Sequence, residues 1–494
     1  MTSFIQALDK FISTREGENG HAEFNWSKNM EENIVQFDFQ CVRTNMEGLD
    51  QLEIILHGLL TSLQSVRDDP GAESQRQFLL TNLYKIIGKT RDIEGGKGEY
   101  TLSYMMVWVW YQYFSTLAIL ALALFVFPPQ DMTRISLFPE TGLEATECQA
   151  KVPYGSWKDM KYFCNYIHEK SGEHQHPLIQ VCVRFINTQL RADEEVYGSQ
   201  NPNKILSLIA KWIPRESSKK FGWLNEKLAR DYFPHYMKPC VDSKKAIKKC
   251  VTQYRMIYAK LNRHIDTVQI KQASNRWAEI DHSKTTSITM AKQRKAFLNQ
   301  TADGDEPRYP EPDRIKCAEN LKTYLESLKK EGKEVKGKNV GLEMFTKQAL
   351  EVLSRNHYKN LNGEGDILNS QWRDNSNQKN ANRLGPMVAM VDVSGSMAGD
   401  PICAAIALGC RVAEKSILGK RVMSFSEDPS WINLEECDTF TDMVWKLRNN
   451  SLSAGMSTNF YKALDLMLAS IEANHIAAEE VENMILAIFS DMQI

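Results

Sequence analysis

No Cys-x-x-Cys pair occurs among the ten cysteines of this 494-residue chain, which lie scattered from Cys41 to Cys437. Without paired Cys or His spacing there is no zinc finger or ribbon to read. The pattern fits reduced, buried thiols of an intracellular protein rather than a disulfide framework. Net charge is also nearly absent: a formal −2 excludes a chain that coats polyanions over its whole surface. The opening residues, MTSFIQALDKFISTREGENG, lack the basic-then-apolar pattern of a secretory leader. The expected setting is therefore cytoplasmic.

Charge is missing altogether from Met105 to Phe127, MMVWVWYQYFSTLAILALALFVF. At ~1.5 Å per residue that run could cross a bilayer of about 30 Å, with Trp and Tyr gathered at one end as an interfacial belt. The competing reading is two buried helices, Leu102–Phe114 and Thr116–Val126, joined at Ser115 and stopped by Pro128-Pro129. The packed pair is the expectation and a membrane anchor the alternative.

What remains is ordinary globular composition, 43% hydrophobic and 25% charged, long enough for several domains. Apolar residues recur at helical spacing in Gly48–Arg67 (Leu49, Leu52, Ile55, Leu56, Leu59, Leu60) and Ser74–Lys89. Further helices are read at Trp157–Lys170, His176–Leu190, Asn203–Trp212, Lys219–Arg230 and Ser243–Leu261. No strict period shows, yet helix after helix with short turns suggests an irregular α-solenoid over 46–300, after an N-terminal extension of 1–45. Residues 301–384 read as a linker region. It opens on the Pro-rich acidic joint DGDEPRYPEPD, carries helices at Cys317–Lys330 and Val340–Arg355, and ends in the polar stretch Asn360–Arg383, expected to be a loop. From Gly385 the texture changes to apolar strand, helix (Ile402–Ser416), strand (Arg421–Phe425), helix (Asn459–Asn474) and strand (Asn483–Phe489). That alternation predicts an α/β module over 385–494 with a doubly wound parallel sheet. The fold class expected is thus α plus α/β.

The first of those strands ends in MVAMVDVSGSMAGD, Met387 to Asp400. In an open α/β sheet, ligands bind beyond the carboxyl ends of the strands, and Asp392 stands at such an end with Ser394 and Ser396 just after it. Gly395 lets the turn fold tightly. Carboxylate and hydroxyl oxygens are hard ligands that suit Mg²⁺, or Mn²⁺ or Ca²⁺. One turn cannot complete the shell. Thr458, before the Asn459 helix, and Asp491, closing the MILAIF strand, stand at loops that a parallel sheet would bring to the same edge. No Gly-Lys-Ser/Thr follows this strand, which excludes a P-loop. No Gly-x-Ser-x-Gly elbow is present either. An aspartyl phosphotransferase would want a second carboxylate where Ser394 stands, and no His or Lys base lies in these loops. The residues read as a binding site, not a catalytic one.

Asp-x-Ser-x-Ser, a distant Thr and a strand-ending Asp resemble the metal-ion-dependent adhesion site of von Willebrand factor A domains. The resemblance implies that Ser394, Ser396 and Thr458 would bind the ion directly or through water, and that Asp392 and Asp491 would hold its waters. It also implies an open position filled by an acidic side chain of a protein partner. The A-type sheet is normally larger than the strands read here. The protein is therefore expected to continue past Ile494, or a partner to cover the edge strand MILAIF.

Upstream, GSWKDM (155–160), KWIPRE (211–216), LNRHIDTVQIKQASNRWAEID (261–281) and LNSQWRDN (368–375) resemble an uncharacterised family of large DNA viruses and plants that joins a helical region to such a domain. That architecture is in turn similar to the TROVE module of the Ro autoantigen, which implies an RNA-binding helical ring. Between Lys211 and Lys295, 20 Lys and Arg face 7 Asp and Glu. Lys244, Lys245, Lys248 and Lys249 share a helix face by spacing. With Arg263, His264, Lys271 and Arg276 they are the candidate RNA contacts. The interleaved Trp212, Phe221, Trp223, Tyr232, Tyr236, Tyr254, Tyr258 and Trp277 are candidate base-stacking platforms. The bland alternative is solvated lysines over a core of aromatics, and no RRM-type signature is present. The function expected is a non-enzymatic ribonucleoprotein-type scaffold. A protein–protein adaptor or virion component without nucleic acid is the alternative.

Overall fold

The charge-free run from Met105 to Phe127 does not form one long helix. Helix Tyr100–Tyr113 ends at Phe114, whose φ of −141° and ψ of 75° leave the helical region, and Ser115–Leu124 begins a second helix at once. Met105, Met106, Val107, Val109 and Trp110 of the first and Ala118, Leu122 and Ala123 of the second are buried. The Tyr84 hydroxyl donates to the Leu117 carbonyl at 2.8 Å, tying the second helix to the preceding layer. Among the described residues no helix is long and apolar enough to cross a membrane.

This computed structural model describes residues 14–16, 22–24, 26–27, 29–65, 73–128, 152–199, 205–237, 243–301, 306–355, 363–378, 384–425, 427–451 and 460–490. The chain divides into two compact units, the first built on Glu23–Thr267 and the second on Val268–Ile494. Residues 268–300, read with the solenoid in the sequence, and the helices of 301–384 therefore lie in one unit with the sheet.

The first unit is helical. Its longer helices are Met30–Gln40, Met46–Ser65, Glu73–Arg91, Tyr100–Tyr113, Trp157–Ser171, Pro177–Gly198, Gly222–Tyr232 and Ser243–Ile265. They enclose one continuous apolar core. Asn203–Trp212, expected as a helix, is reduced in its described part to the single turn Ile209–Trp212. Inside the core a buried ion pair fixes three elements together. The Arg91 guanidinium donates to both oxygens of Asp159 at 2.9 and 2.8 Å, and the Tyr104 hydroxyl donates to Asp159 Oδ1 at 2.6 Å. Asp159 also accepts from the Ser156 backbone N–H at 2.7 Å, closing a capping box on helix Trp157–Ser171.

In the second unit the polar stretch Asn360–Arg383 corrects the sequence expectation. Its described part is the helix Glu364–Gln378, not a loop. Ile367, Leu368 and Trp372 are buried, and the amides that made the segment look solvated are buried too. Gln371 donates to the carbonyls of Ser287 and Lys336 at 3.1 and 2.7 Å, and Asn375 to those of Gly337 and Lys338 at 3.2 and 3.0 Å. These side chains cap neighbouring loops, which satisfies both partners.

The sheet has four strands in the order Ser430–Asn433, Arg421–Phe425, Met387–Asp392, Ile485–Phe489. Arg421–Phe425 and Ile485–Phe489 flank the central strand in parallel, while Ser430–Asn433 is antiparallel. The sheet is mixed, which corrects the all-parallel expectation. Ser430–Asn433 returns directly from its neighbour through a short turn, so no crossover helix is needed. Side chains alternate along the strands. Ala389, Val391 and Val422 join the core under helix Asp400–Lys415, whereas Met390 and Met423 meet Ala463 of helix Phe460–Ala473 on the opposite face. Gly409 allows the first of these contacts, because a Cβ there would lie 2.6 Å from Val391 Cγ2. Eight cysteines of the described residues are free and buried, among them Cys41 and Cys164 in the first unit and Cys317 and Cys410 in the second.

Candidate metal centre

The parallel register aligns the carboxyl ends of three strands. Asp392 pairs with Phe425, and Val391 with Phe489. Asp392 is fully buried at that edge and Ser394 is 3% exposed. The carboxylate is held by two neutral donors: Ser394 N–H to Oδ1 at 2.9 Å and the Ser490 hydroxyl to Oδ2 at 2.7 Å. Ser396 lies in the 3₁₀ turn Gly395–Met397 that follows. Helix Asp400–Lys415 then starts, its Asp400 paired with Lys347. Lys462 at the start of the opposite helix pairs with Asp428, in the loop beyond Arg421–Phe425.

No Lys, Arg or His among the described residues pairs with Asp392. A carboxylate out of water without a counter-charge is costly, and two neutral hydrogen bonds offset that cost only in part. The donors at hand are carboxylate and hydroxyl oxygens, which fit a hard divalent cation. Asp392 and Ser394 stand side by side at the carboxyl end of the central strand. Thr458 and Asp491 lie outside the described residues. Among the described residues no group of three His, Cys, Asp or Glu is arranged to hold a metal. A cation at Asp392 would therefore draw on hydroxyls and on the neighbouring loops. Sequence reasoning missed Ser490. The signal was its place one residue past a strand that pairs in parallel with the Asp392 strand.

The candidate nucleic-acid residues divide between the units. Lys244, Lys245, Lys248, Lys249, Arg263 and His264 are exposed on helix Ser243–Ile265, which carries no Asp or Glu. Lys249 lies over the Tyr236 ring at 4.1 Å, and His264 meets Tyr197 edge-on at 5.2 Å. A cleft of about 640 Å³ beside this helix is lined by Tyr197, Lys260 and Arg263. Lys271 and Arg276 belong to the second unit, where Lys271 donates to the Glu279 carbonyl and Arg276 pairs with the Glu279 carboxylate, each at 2.7 Å.

The expected stacking platforms are corrected in part. Tyr232, Tyr254 and Tyr258 are buried. The Tyr254 hydroxyl donates to Asn187 and that of Tyr232 to Glu194, both at 2.8 Å. With Cys250 and Leu261, Tyr254 and Tyr258 form the inward stripe of the same helix that turns its lysines outward.

Residues 386–494 match a domain of unknown function (DUF7788), and residues 165–375 match a second one (DUF2828) that spans the division between the units. An uncharacterized protein of Acanthamoeba polyphaga mimivirus is 27% identical over 364 residues, covering 69% of this chain and 56% of the relative. The chain thus spans about half the length of the curated relative it matches. No solved structure matches. The chain is therefore similar, across its helical and sheet regions, to two domains without an assigned function and to a viral protein without one.

Proposed function

We propose that this protein is a non-enzymatic scaffold with two ligand surfaces. The sheet module is read as an A-type domain that takes Mg²⁺, or Mn²⁺ or Ca²⁺, at its carboxyl edge. Ser394, Ser396 and Thr458 would hold the ion, and Asp392 and Asp491 its waters. The ion would supply a coordination position for an acidic side chain of a protein partner. One observation carries this reading: Asp392 is buried with two neutral donors and no counter-charge among the described residues. Isothermal titration with MgCl₂ and MnCl₂ tests it. Saturable binding to the wild type, lost in Asp392→Ala and in Asp491→Ala, is expected. Equal binding by wild type and both variants would end the proposal.

The helical unit is read as a solenoid that offers the acid-free helix Ser243–Ile265 to RNA phosphates. Gel shift of a single-stranded RNA at graded salt tests this half. Affinity should fall as salt rises, and substitution of Lys244, Lys245, Lys248 and Lys249 by Gln should lower the salt slope by about 1 per lysine.

A second reading, an adaptor or virion component that uses only the metal face, draws support from the burial of Tyr232, Tyr254 and Tyr258, which removes three stacking partners. Pull-downs with and without chelator separate the two. A partner lost on chelation, with no RNA retained, favours the adaptor.

A further inference from the structure

Three lysines of the first unit that the preceding reading does not use converge on a cluster of aromatic rings, two of which, Trp212 and Phe221, are among the candidate stacking platforms. Lys158 and Lys161 stand one turn apart on helix Trp157–Ser171, and Lys211 precedes Trp212 at the end of the turn Ile209–Trp212. The Lys161 ammonium lies 5.0 Å from the ring centre of Tyr162, 5.3 Å from Trp212 and 4.9 Å from Phe221. Lys158 lies 5.0 Å from Tyr162, and Lys211 lies 5.6 Å from Trp212. The Tyr162 and Phe221 rings meet edge to face at 5.3 Å. All six side chains are half-buried.

None of the three ammonium groups has a carboxylate partner among the described residues. Lys170, on the same helix, shows the usual solution, pairing with Asp50 at 3.2 Å and Glu53 at 2.7 Å. Burial lowers the pKa of Lys161, and the charge of Lys158 lowers it further. Burial alone lowers that of Lys211. Cation–π contact is a weak attraction and does not neutralise charge. Like charges gathered in a partly dehydrated site are stabilised by an anion, and flat rings beside them by a planar group. A nucleotide has both.

We infer that this patch binds a nucleotide unit, its phosphate between Lys158, Lys161 and Lys211 and its base against Trp212, the ring that both Lys161 and Lys211 approach. The inference rests on the nucleic-acid half of the proposed function but assigns the contact to a different surface from helix Ser243–Ile265. A free nucleotide and a single-stranded RNA offer the same chemistry.

The test uses the full chain and two probes, a fluorescently labelled oligouridine RNA and ATP. In Lys161→Gln/Lys211→Gln, RNA affinity should fall at least tenfold and the salt slope by about 2. Trp212→Leu should weaken binding about tenfold with the slope unchanged. Lys161→Arg/Lys211→Arg should retain both, and thermal unfolding verifies that each variant folds. If Lys244, Lys245, Lys248 and Lys249→Gln abolishes RNA binding while Lys161→Gln/Lys211→Gln leaves it intact, the inference falls and the RNA reading stands. If the wild type binds ATP but not RNA, and Lys161→Gln/Lys211→Gln loses ATP, the RNA reading falls and the inference stands. If Trp212→Leu has no effect where the lysines do, the site takes a bare anion and the nucleotide assignment is wrong. Binding of neither probe overturns both.

Discussion

Ser490 donates its hydroxyl hydrogen to Asp392 Oδ2 at 2.7 Å, joining the ends of two parallel strands 98 residues apart in sequence. The bond makes the position of the Asp392 carboxylate depend on the strand Ile485–Phe489, and no Lys, Arg or His among the described residues pairs with that carboxylate.

Replacing that charge with a neutral isostere should therefore act in opposite directions with and without cation. In chelator, Asp392→Asn keeps an acceptor for Ser394 and a partner for Ser490, and should stabilise the fold by about 1–3 kcal/mol. With Mg²⁺ at 100 times its dissociation constant the wild type should gain about 2.7 kcal/mol and the variant nothing. Urea midpoints in the two buffers check the crossing. A variant less stable than wild type in chelator would contradict it.

Gly409→Ala should loosen the same site from below. The added methyl meets Val391 at 2.6 Å and must push helix Asp400–Lys415 off the central strand. A loss of about 1–3 kcal/mol is expected. Cation affinity should weaken with it, since Asp392 follows Val391 directly. Denaturant unfolding and titration calorimetry measure the two effects.

In the first unit, Asp159→Ala should be among the most destabilising single changes. It strips Arg91 of its counter-charge in the core, at a cost of about 3–5 kcal/mol. Tyr104→Phe removes one hydrogen bond to the same carboxylate and should cost about 1 kcal/mol. Equal losses in the two variants would mean that the ion pair is not the centre of the cluster.

His282 gives the second unit an acid-sensitive point. Burial lowers its pKa from the ordinary 6.5, although the Cys317 carbonyl and Asp281 oppose the shift. The folded value lies below the unfolded one, so the unfolded chain binds more protons between the two. Stability is full above pH ~7 and declines as pH falls below about 6.5, until the folded value is passed. The wild type should lose more stability between pH 7 and 5 than His282→Gln, as read by urea unfolding at each pH.

The sequence reading met the structure where one signal dominated. The break read at Ser115 falls where helix Tyr100–Tyr113 gives way to Ser115–Leu124, although the uniform hydropathy of Met105–Phe127 fits a packed pair and a single span alike. The place of Asp392 at the end of a buried strand was legible from the unbroken apolar run Val388–Val391 before it. Strand Ser430–Asn433 and helix Phe440–Ser451 were not legible. The strand is four residues long, and the helix is announced only by Thr439, whose hydroxyl meets Asp442 at 2.6 Å. The polar helix Glu364–Gln378 was hidden because its amides bond to backbone carbonyls far away in sequence, a pairing that no local pattern displays. Tyr254 and Tyr258 were ambiguous for a different reason. Four-residue spacing marks a shared face without saying whether that face looks inward.

The buried thiols turn each unit into its own clock. Burial pushes Cys41 up to about 12 and Cys317 up to about 11, so neither is an effective nucleophile while its surroundings stay closed. An alkylating reagent should reach Cys41, Cys164, Cys182 and Cys250 only when the first unit opens, and Cys317, Cys403, Cys410 and Cys437 only when the second does. Mass spectrometry of the labelled peptides would then time the two openings separately in one sample.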